Sequence, residues 1–225
     1  MKWLFYLFCP LVFATYPIFD LPQDYNLYPR KENQLNYFVY SKNSKISINY
    51  STQLTPLKLH EYVEKVKESY LKDSNFECKI LGALSAKNIT GTLIQINVEK
   101  TPFGSMQLWQ WICLDNHVIY VLTASAPQDL FTEHAKIFQK VLESFTLVED
   151  PLTLVSIKKQ EALKTAIKNV VVQGKKYQQD FLEDQKFQSD VWIPFKHFLI
   201  ENFDEKGFLF MHAILDHTKK QIETP

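Results

Sequence analysis

The stretch from Asn116 to Phe145, NHVIYVLTASAPQDLFTEHAKIFQKVLESF, sets the fold class, because it holds a strand, a proline turn and an amphipathic helix in immediate succession. Val118, Tyr120 and Leu122 alternate with Ile119, Val121 and Thr123, so the strand is apolar on both faces and belongs to a sheet covered on both sides. Pro127 suits a first helical position, where a missing N–H costs nothing. Leu130, Phe131, Ile137, Phe138, Val141, Leu142 and Phe145 then recur at helical spacing, with Lys136 and Lys140 on the solvent side.

Three more strand patterns lead into this one: FECKILGALSAKN, TGTLIQINVEK and SMQLWQWICLD. Polar or proline-containing turns at Lys87 to Asn88, Thr101 to Gly104 and Asp115 to Asn116 predict an antiparallel meander. Ile94, Ile96 and Val98 alternate with Gln95, Asn97 and Glu99, whereas Trp109, Trp111 and Cys113 share one apolar face and Leu108, Ile112 and Leu114 the other. Upstream, YPIFDLPQDYNLY reads as a short strand and a proline turn, and LNYFVYS and SKISINYST as strands. A helix is expected from Leu54-Thr55-Pro56, with Thr55 as its N-cap and Pro56 in its first turn. In LKLHEYVEKVKESYL its inward stripe is Leu59, Tyr62, Val63, Val66 and Tyr70.

The order of these parts over residues 16 to 150 resembles the PsbP/DcrB-like family, to which the Ran-binding Mog proteins are related. The matching pieces are FDLPQDY, at the family's Pro-x-x-Trp-like turn, then SKISINYST, the helix from Leu57 to Leu71, YVLTASAPQDLF and KVLESF. Tyr25 stands where the family has tryptophan. The resemblance implies an α+β fold, an antiparallel sheet flanked by helices in an α/β/α sandwich. It also implies binding or assembly support rather than catalysis, with another protein as partner and no cofactor.

From Pro151 to Pro225 the period changes and the chain reads as a helical extension. Ile157, Leu163, Ile167, Val170, Val171, Tyr177 and Phe181 form one stripe, interrupted by Gly174. A second helix is expected to start at Pro194, and a third to hold Phe208, Leu209, Met211, Ala213 and Ile214. These helices could dock on the sheet, form a small bundle or face a partner. Two helices on one side of a two-faced sheet leave its other side bare, so the expectation is that part of the extension lies across it.

Composition narrows the function. With 46% hydrophobic and 22% charged residues the chain is not disordered. Lys plus Arg equals Asp plus Glu at 25 each, so no net field recruits nucleic acid. Five glycines and no GxGxxG or GxxxxGK[ST] pattern argue against phosphate-loop folds. Residues 1–14, MKWLFYLFCPLVFA, carry Lys2 and an apolar run from Trp3 to Phe13, too short to span a bilayer and of signal-peptide length. Cleavage after Ala14 would leave Cys78 and Cys113, which the expected turns place two strands apart, about 20 Å, beyond disulfide reach. Both read as reduced, buried residues.

Motifs for chemistry are sparse. The six histidines form no HExxH pair, and His212 and His217 lie about 140° apart on a helix. Ser105 lacks a GxSxG elbow, and Glu183 and Asp184 sit in a solvated charge run. Asn49-Tyr50-Ser51 and Asn88-Ile89-Thr90 match glycosylation sequons, which matter in a eukaryotic secretory host. The candidate binding residues are the large aromatics Trp109, Trp111, Trp192 and Phe195, which could equally be core. The resulting expectation is an exported, non-enzymatic binding or assembly-support protein of the bacterial periplasm or cell envelope, without a metal or a stable transmembrane span. Its rivals are a small-ligand carrier or enzyme with a pocket between sheet and extension, and a secreted host-interacting factor.

Overall fold

The computed structural model describes residues 15–27, 36–177 and 181–224. The expected signal peptide, residues 1–14, lies outside them. Seven strands build one wholly antiparallel sheet: β2 (Tyr25–Leu27), β3 (Asn36–Tyr40), β4 (Asn43–Leu54), β5 (Phe76–Ser85), β6 (Thr90–Val98), β7 (Met106–Asp115) and β8 (Val118–Pro127). Their spatial order is β2-β3-β4-β8-β7-β6-β5. The four-strand meander is as its alternation and turns dictate, and it adds to β4 through β8.

That order explains the first helix. β4 and β5 are consecutive in the chain but four spacings apart in the sheet, about 19 Å at about 4.8 Å each. α1 (Leu59–Leu71) has 13 residues, about 20 Å of helix, and so bridges them across one sheet face. It starts later than Thr55 and Pro56 suggest, because Thr55 is still tied to the sheet end, its N–H donating to the His117 carbonyl at 2.9 Å. The Thr55 hydroxyl accepts from the Leu57 N–H at 3.1 Å, and the Glu61 carboxylate accepts from the Lys58 N–H at 2.8 Å.

Likewise Pro127 closes β8, opposite Met106, instead of opening the next helix. At the end of a strand its missing N–H breaks no ladder. α2 (Phe131–Ser144) begins four residues later. The two helices lie on opposite faces, contrary to the expectation of one shared side. Val63 of α1 packs with Ile94, Ile96, Ile112 and Ile119, while Phe138 and Leu142 of α2 pack with Ile48, Trp111, Cys113, Tyr120 and Leu122. The alternation of Ile112 with Trp111 and Cys113 is what sends them to different cores.

The extension therefore covers no bare sheet face; it has a core of its own. It comprises α3 (Ile157–Gly174), α4 (Gln185–Phe187), a π-helical turn (Gln188–Trp192), α5 (Ile193–Phe203) and α6 (Gly207–Glu223). Leu163, Ile167, Phe181, Phe187, Trp192, Phe195, Leu199, Phe203, Phe210 and Ile214 meet inside it. Gly174 ends α3 and lets α6 close in, since a Cβ there would stand 2.6 Å from Ile222 Cδ1. The sheet core receives from α6 only Phe208 and Leu209, Phe208 lying edge-on to Phe38 with centroids 5.9 Å apart. A second link is a ribbon in which β1 (Tyr16–Ile18), the short strand expected in YPIF, pairs with β9 (Thr146–Val148), which sequence periodicity missed; Tyr16 packs against His217 and under Lys220.

Candidate binding groove

The aromatic spacing after α3 carries a signature. Trp192, Phe195, Leu199 and Phe203 follow one another by three or four residues, but Phe187 precedes Trp192 by five, and all five side chains are buried. Five is the π-helical period, and the Ile193 N–H duly donates to the Gln188 carbonyl. The wider turn also tolerates Pro194, whose ring would otherwise press on the carbonyl four residues back. The helix thus runs from Gln185 straight through Pro194, not from it, with the Asp184 carboxylate accepting from the Phe187 N–H at 2.8 Å as its cap.

Over this π turn, between it and α3, lies an open groove of about 560 Å³. Its apolar floor is Val170, Val191, Phe195 and Phe198, with Tyr177 at one end; Asn169 and Gln173 line one wall and Lys186 and Asp190 the other. Phe195 and Phe198 stack with their planes 13° apart. Lys186 and Asp190 are exposed and form no ion pair among the described residues, although they stand four apart on one helix. Asp190 instead accepts from the Ser189 hydroxyl at 2.7 Å. A second recess, about 440 Å³, lies between the end of β4 and α1, with Leu54 beside it 73% exposed.

The four aromatics singled out in the sequence fall into two separate places. Trp111 is fully buried under α2, its Nε1 donating to the Leu84 carbonyl at 3.0 Å, and Trp109 beside it packs edge-on against Phe131. α2 covers the side of β7 they share, leaving Trp109 half-buried and Trp111 without a free face. Trp192 and Phe195 belong to the extension core, 6% and 4% exposed, and of the four only Phe195 lines the groove. Sequence reasoning missed Asn169, Gln173, Lys186 and Asp190; the step of five from Phe187 to Trp192 is the signal that could have found them.

The remaining chemistry-bearing groups are structurally occupied. Cys78 faces the α1 core and Cys113 the α2 core, so the sheet itself separates them. Cys78 lies opposite Ile96, one residue from the level that the Ser85–Thr90 end of the hairpin alone would set, because Leu81 forms a bulge. Cys78 is only half-buried. Burial pushes both thiols up, that of Cys113 to about 12, which keeps them protonated and poor nucleophiles. The Gln221 amide donates to His217 Nε2 at 2.7 Å, leaving Nδ1 to donate to the Tyr16 hydroxyl at 3.3 Å. Asn88, in the second sequon, ties the β5–β6 turn to β9, donating to the Leu147 carbonyl and accepting from the Leu147 N–H. Among the described residues no cluster of three metal-ligating groups occurs. Tyr25 Oη, Trp109 Nε1 and His134 Nδ1, all on the α2 side of the sheet, are buried with no partner among the described residues.

No family model and no curated protein matches the chain. In structure it is similar to the PsbP/Mog-like fold. Its likenesses include the solution structure of cyanobacterial PsbP from Synechocystis sp. PCC 6803, at 8% identity and TM-score 0.45, covering 61% of this chain and 94% of that one. LpqN of Mycobacterium tuberculosis, involved in cell envelope biogenesis, is similar at 13% identity and TM-score 0.46, covering 60% and 84%. The Ran-binding protein Mog1p of Saccharomyces cerevisiae is similar at 10% identity and TM-score 0.40, covering 59% and 95%.

Proposed function

We propose that this chain is an exported, non-enzymatic binding or assembly-support protein of the bacterial periplasm or cell envelope. In this reading its first 14 residues are removed, residues 15–150 form the scaffold and residues 151–225 carry the binding surface. The observation that supports it is the groove over the π turn, where Val191 and Phe198 are half-buried beside a wall carrying Lys186 and Asp190, charges of opposite sign that form no ion pair among the described residues. Such a groove suits a short protein segment with apolar anchors, and such a wall suits one that carries both charges. Thiols held protonated by burial favour binding over covalent catalysis.

The test is capture from the native envelope fraction by the wild-type protein, by Asp190→Lys and by Lys186→Glu. Both positions are exposed, so folding should be unaltered, and each reversal should cut recovery of the captured protein at least tenfold. Equal recovery by all three removes the groove as the binding site, and N-terminal sequencing that finds an intact Met1 removes the export part. A second reading, a small-ligand carrier, draws on the orphaned Tyr25, Trp109 and His134 atoms. A polar ligand seated there would shift the His134 ring resonances and leave those of Phe198 unmoved.

A further inference from the structure

β5 is the outer strand of the sheet, and its ten residues make it far longer than the three-residue β2 at the other edge. Antiparallel pairs alternate between residues that exchange backbone bonds and residues that do not. The Glu99 N–H donates to the Asn75 carbonyl at 3.1 Å, so Glu77 and Lys79 spend their backbone groups on β6. Phe76, Cys78 and Ile80 turn theirs to the free edge. The Phe76 N–H is taken by the Asp73 carbonyl at 3.0 Å, but nothing among the described residues pairs with those of Cys78 and Ile80. Beyond them the Leu81–Gly82 bulge, with Gly82 at φ +130°, disrupts the edge and blunts the second half of the strand. The regular, unguarded part of the edge is Phe76 to Ile80.

We infer that this segment pairs with the same segment of a second copy of the chain, antiparallel and centred on Cys78. That register makes Cys78 face Cys78 of the other copy in a bonded pair, so both its edge groups gain partners, and Phe76 face Ile80, where the Ile80 N–H reaches the Phe76 carbonyl while the Phe76 N–H stays with Asp73. Side-chain chemistry selects the same register. Phe76 and Ile80 lie on the α1 face and join apolar to apolar. Glu77 and Lys79 are exposed on the other face without an ion-pair partner among the described residues, and the two-fold axis sets each Glu77 opposite the other copy's Lys79. An edge protected against association would carry like charges there; this one is complementary to itself. Five paired residues make a small interface, so the dimer is weak and concentration-dependent.

Sedimentation of the purified protein up to millimolar chain concentration tests this, with Glu77→Lys and Lys79→Glu alone and mixed. The wild type should dimerise. Each single variant should associate about ten- to a hundredfold more weakly, since both cross-strand pairs become like-charged. The equimolar mixture should recover dimers, because each variant then offers the charges its counterpart lacks, and misfolding of either would forbid that recovery. A wild type that stays monomeric throughout, a dimer indifferent to the reversals, or a mixture no better than its components each overturns the pairing. None of these outcomes depends on the groove of the extension.

Discussion

Replacing Gly91 by alanine should be among the most damaging single changes in the sheet. Gly91 lies in β6 opposite Leu84 of β5, and over it passes the indole of Trp111, reaching across from β7 so that Nε1 bonds the Leu84 carbonyl at 3.0 Å. An added Cβ would stand 2.5 Å from the Ile112 carbonyl oxygen and 2.7 Å from the indole Nε1 and Cε2. The carbonyl is fixed in the ladder, and the indole is fully buried, with its centroid 5.0 Å from that of Phe145. Overpacking of this kind costs about 1–3 kcal/mol and the lost hydrogen bond about 0.5–1.5 kcal/mol, so the change should destabilise by about 2–4 kcal/mol. Urea melts followed by tryptophan fluorescence and circular dichroism measure it. In a Trp111→Phe background the same change should cost at least about 1 kcal/mol less, because the indole share of the clash is gone. A Gly91→Ala protein within about 0.5 kcal/mol of wild type would refute the close-approach argument.

Phe138→Ala and Leu142→Ala should each cost about 2–5 kcal/mol, against less than about 0.5 kcal/mol for Lys136→Ala or Lys140→Ala; denaturant melts giving equal effects would undo the placement of α2. Thiol reagents at neutral pH should modify Cys78 before Cys113, and non-reducing mass spectrometry should find no bridge between them. Because burial raises the Cys113 pKa from 9.0 to about 12, the unfolded thiol ionises first; its contribution is whole below pH 9.0 and is lost as pH climbs towards about 12, which alkaline melts will show and a Cys113→Ala variant should soften. His217 is the opposite case: desolvation, then Lys220, lowers its pKa below 6.5 against Asp150 and Asp216, so stability present above pH 6.5 falls as the pH drops below it. His217→Gln should flatten that acid limb in melts between pH 5 and pH 7, on the order of the range where a histidine charges. Truncation after Asp150 should leave a folded but less stable sheet domain, since Phe38 loses the cover of Phe208 and the core loses Leu209; an unchanged melt would mean that α6 contributes nothing to it.

Where one periodicity persisted over ten or more residues, the sequence was legible. The two-faced alternation of β7 and β8 and the stripe of α2 placed the meander, its order and the closing helix, because burial on a face is a repeating demand that side chains must meet. Turns were legible only approximately. Pro56 and Pro127 favour a helix start locally, yet the ladder bonds at Thr55 and the pairing of Pro127 with Met106 kept both at sheet ends. Tertiary bonding outweighed a local preference of comparable size. β9, three residues long, is too short to show any period. The groove was hidden for another reason: it depends on which residues two helices bring together, and a stripe in one helix does not name its partner.

The placement of α1 and α2 on opposite faces changes what the extension is for. With a helix already on each face of the sheet, residues 151–224 satisfy most of their stripes in a core of their own, which among the described residues meets the sheet core through Phe208 and Leu209 and the β1–β9 ribbon through the Tyr16–His217 contact. An element added merely to finish a sandwich would be expected to spend its apolar surface on the sheet. This one spends it internally, then holds a π turn in mid-helix, an irregularity that forfeits regular bonding and survives where packing or function requires it. Packing accounts for part of it, through Pro194 and the step of five between Phe187 and Trp192. It does not account for Val191 and Phe198 left half-buried in the groove directly above the turn, or for Lys186 and Asp190 beside it, which form no ion pair among the described residues. Under the binding role proposed above, those features are the surface a partner would bury, with the sheet domain as its mount.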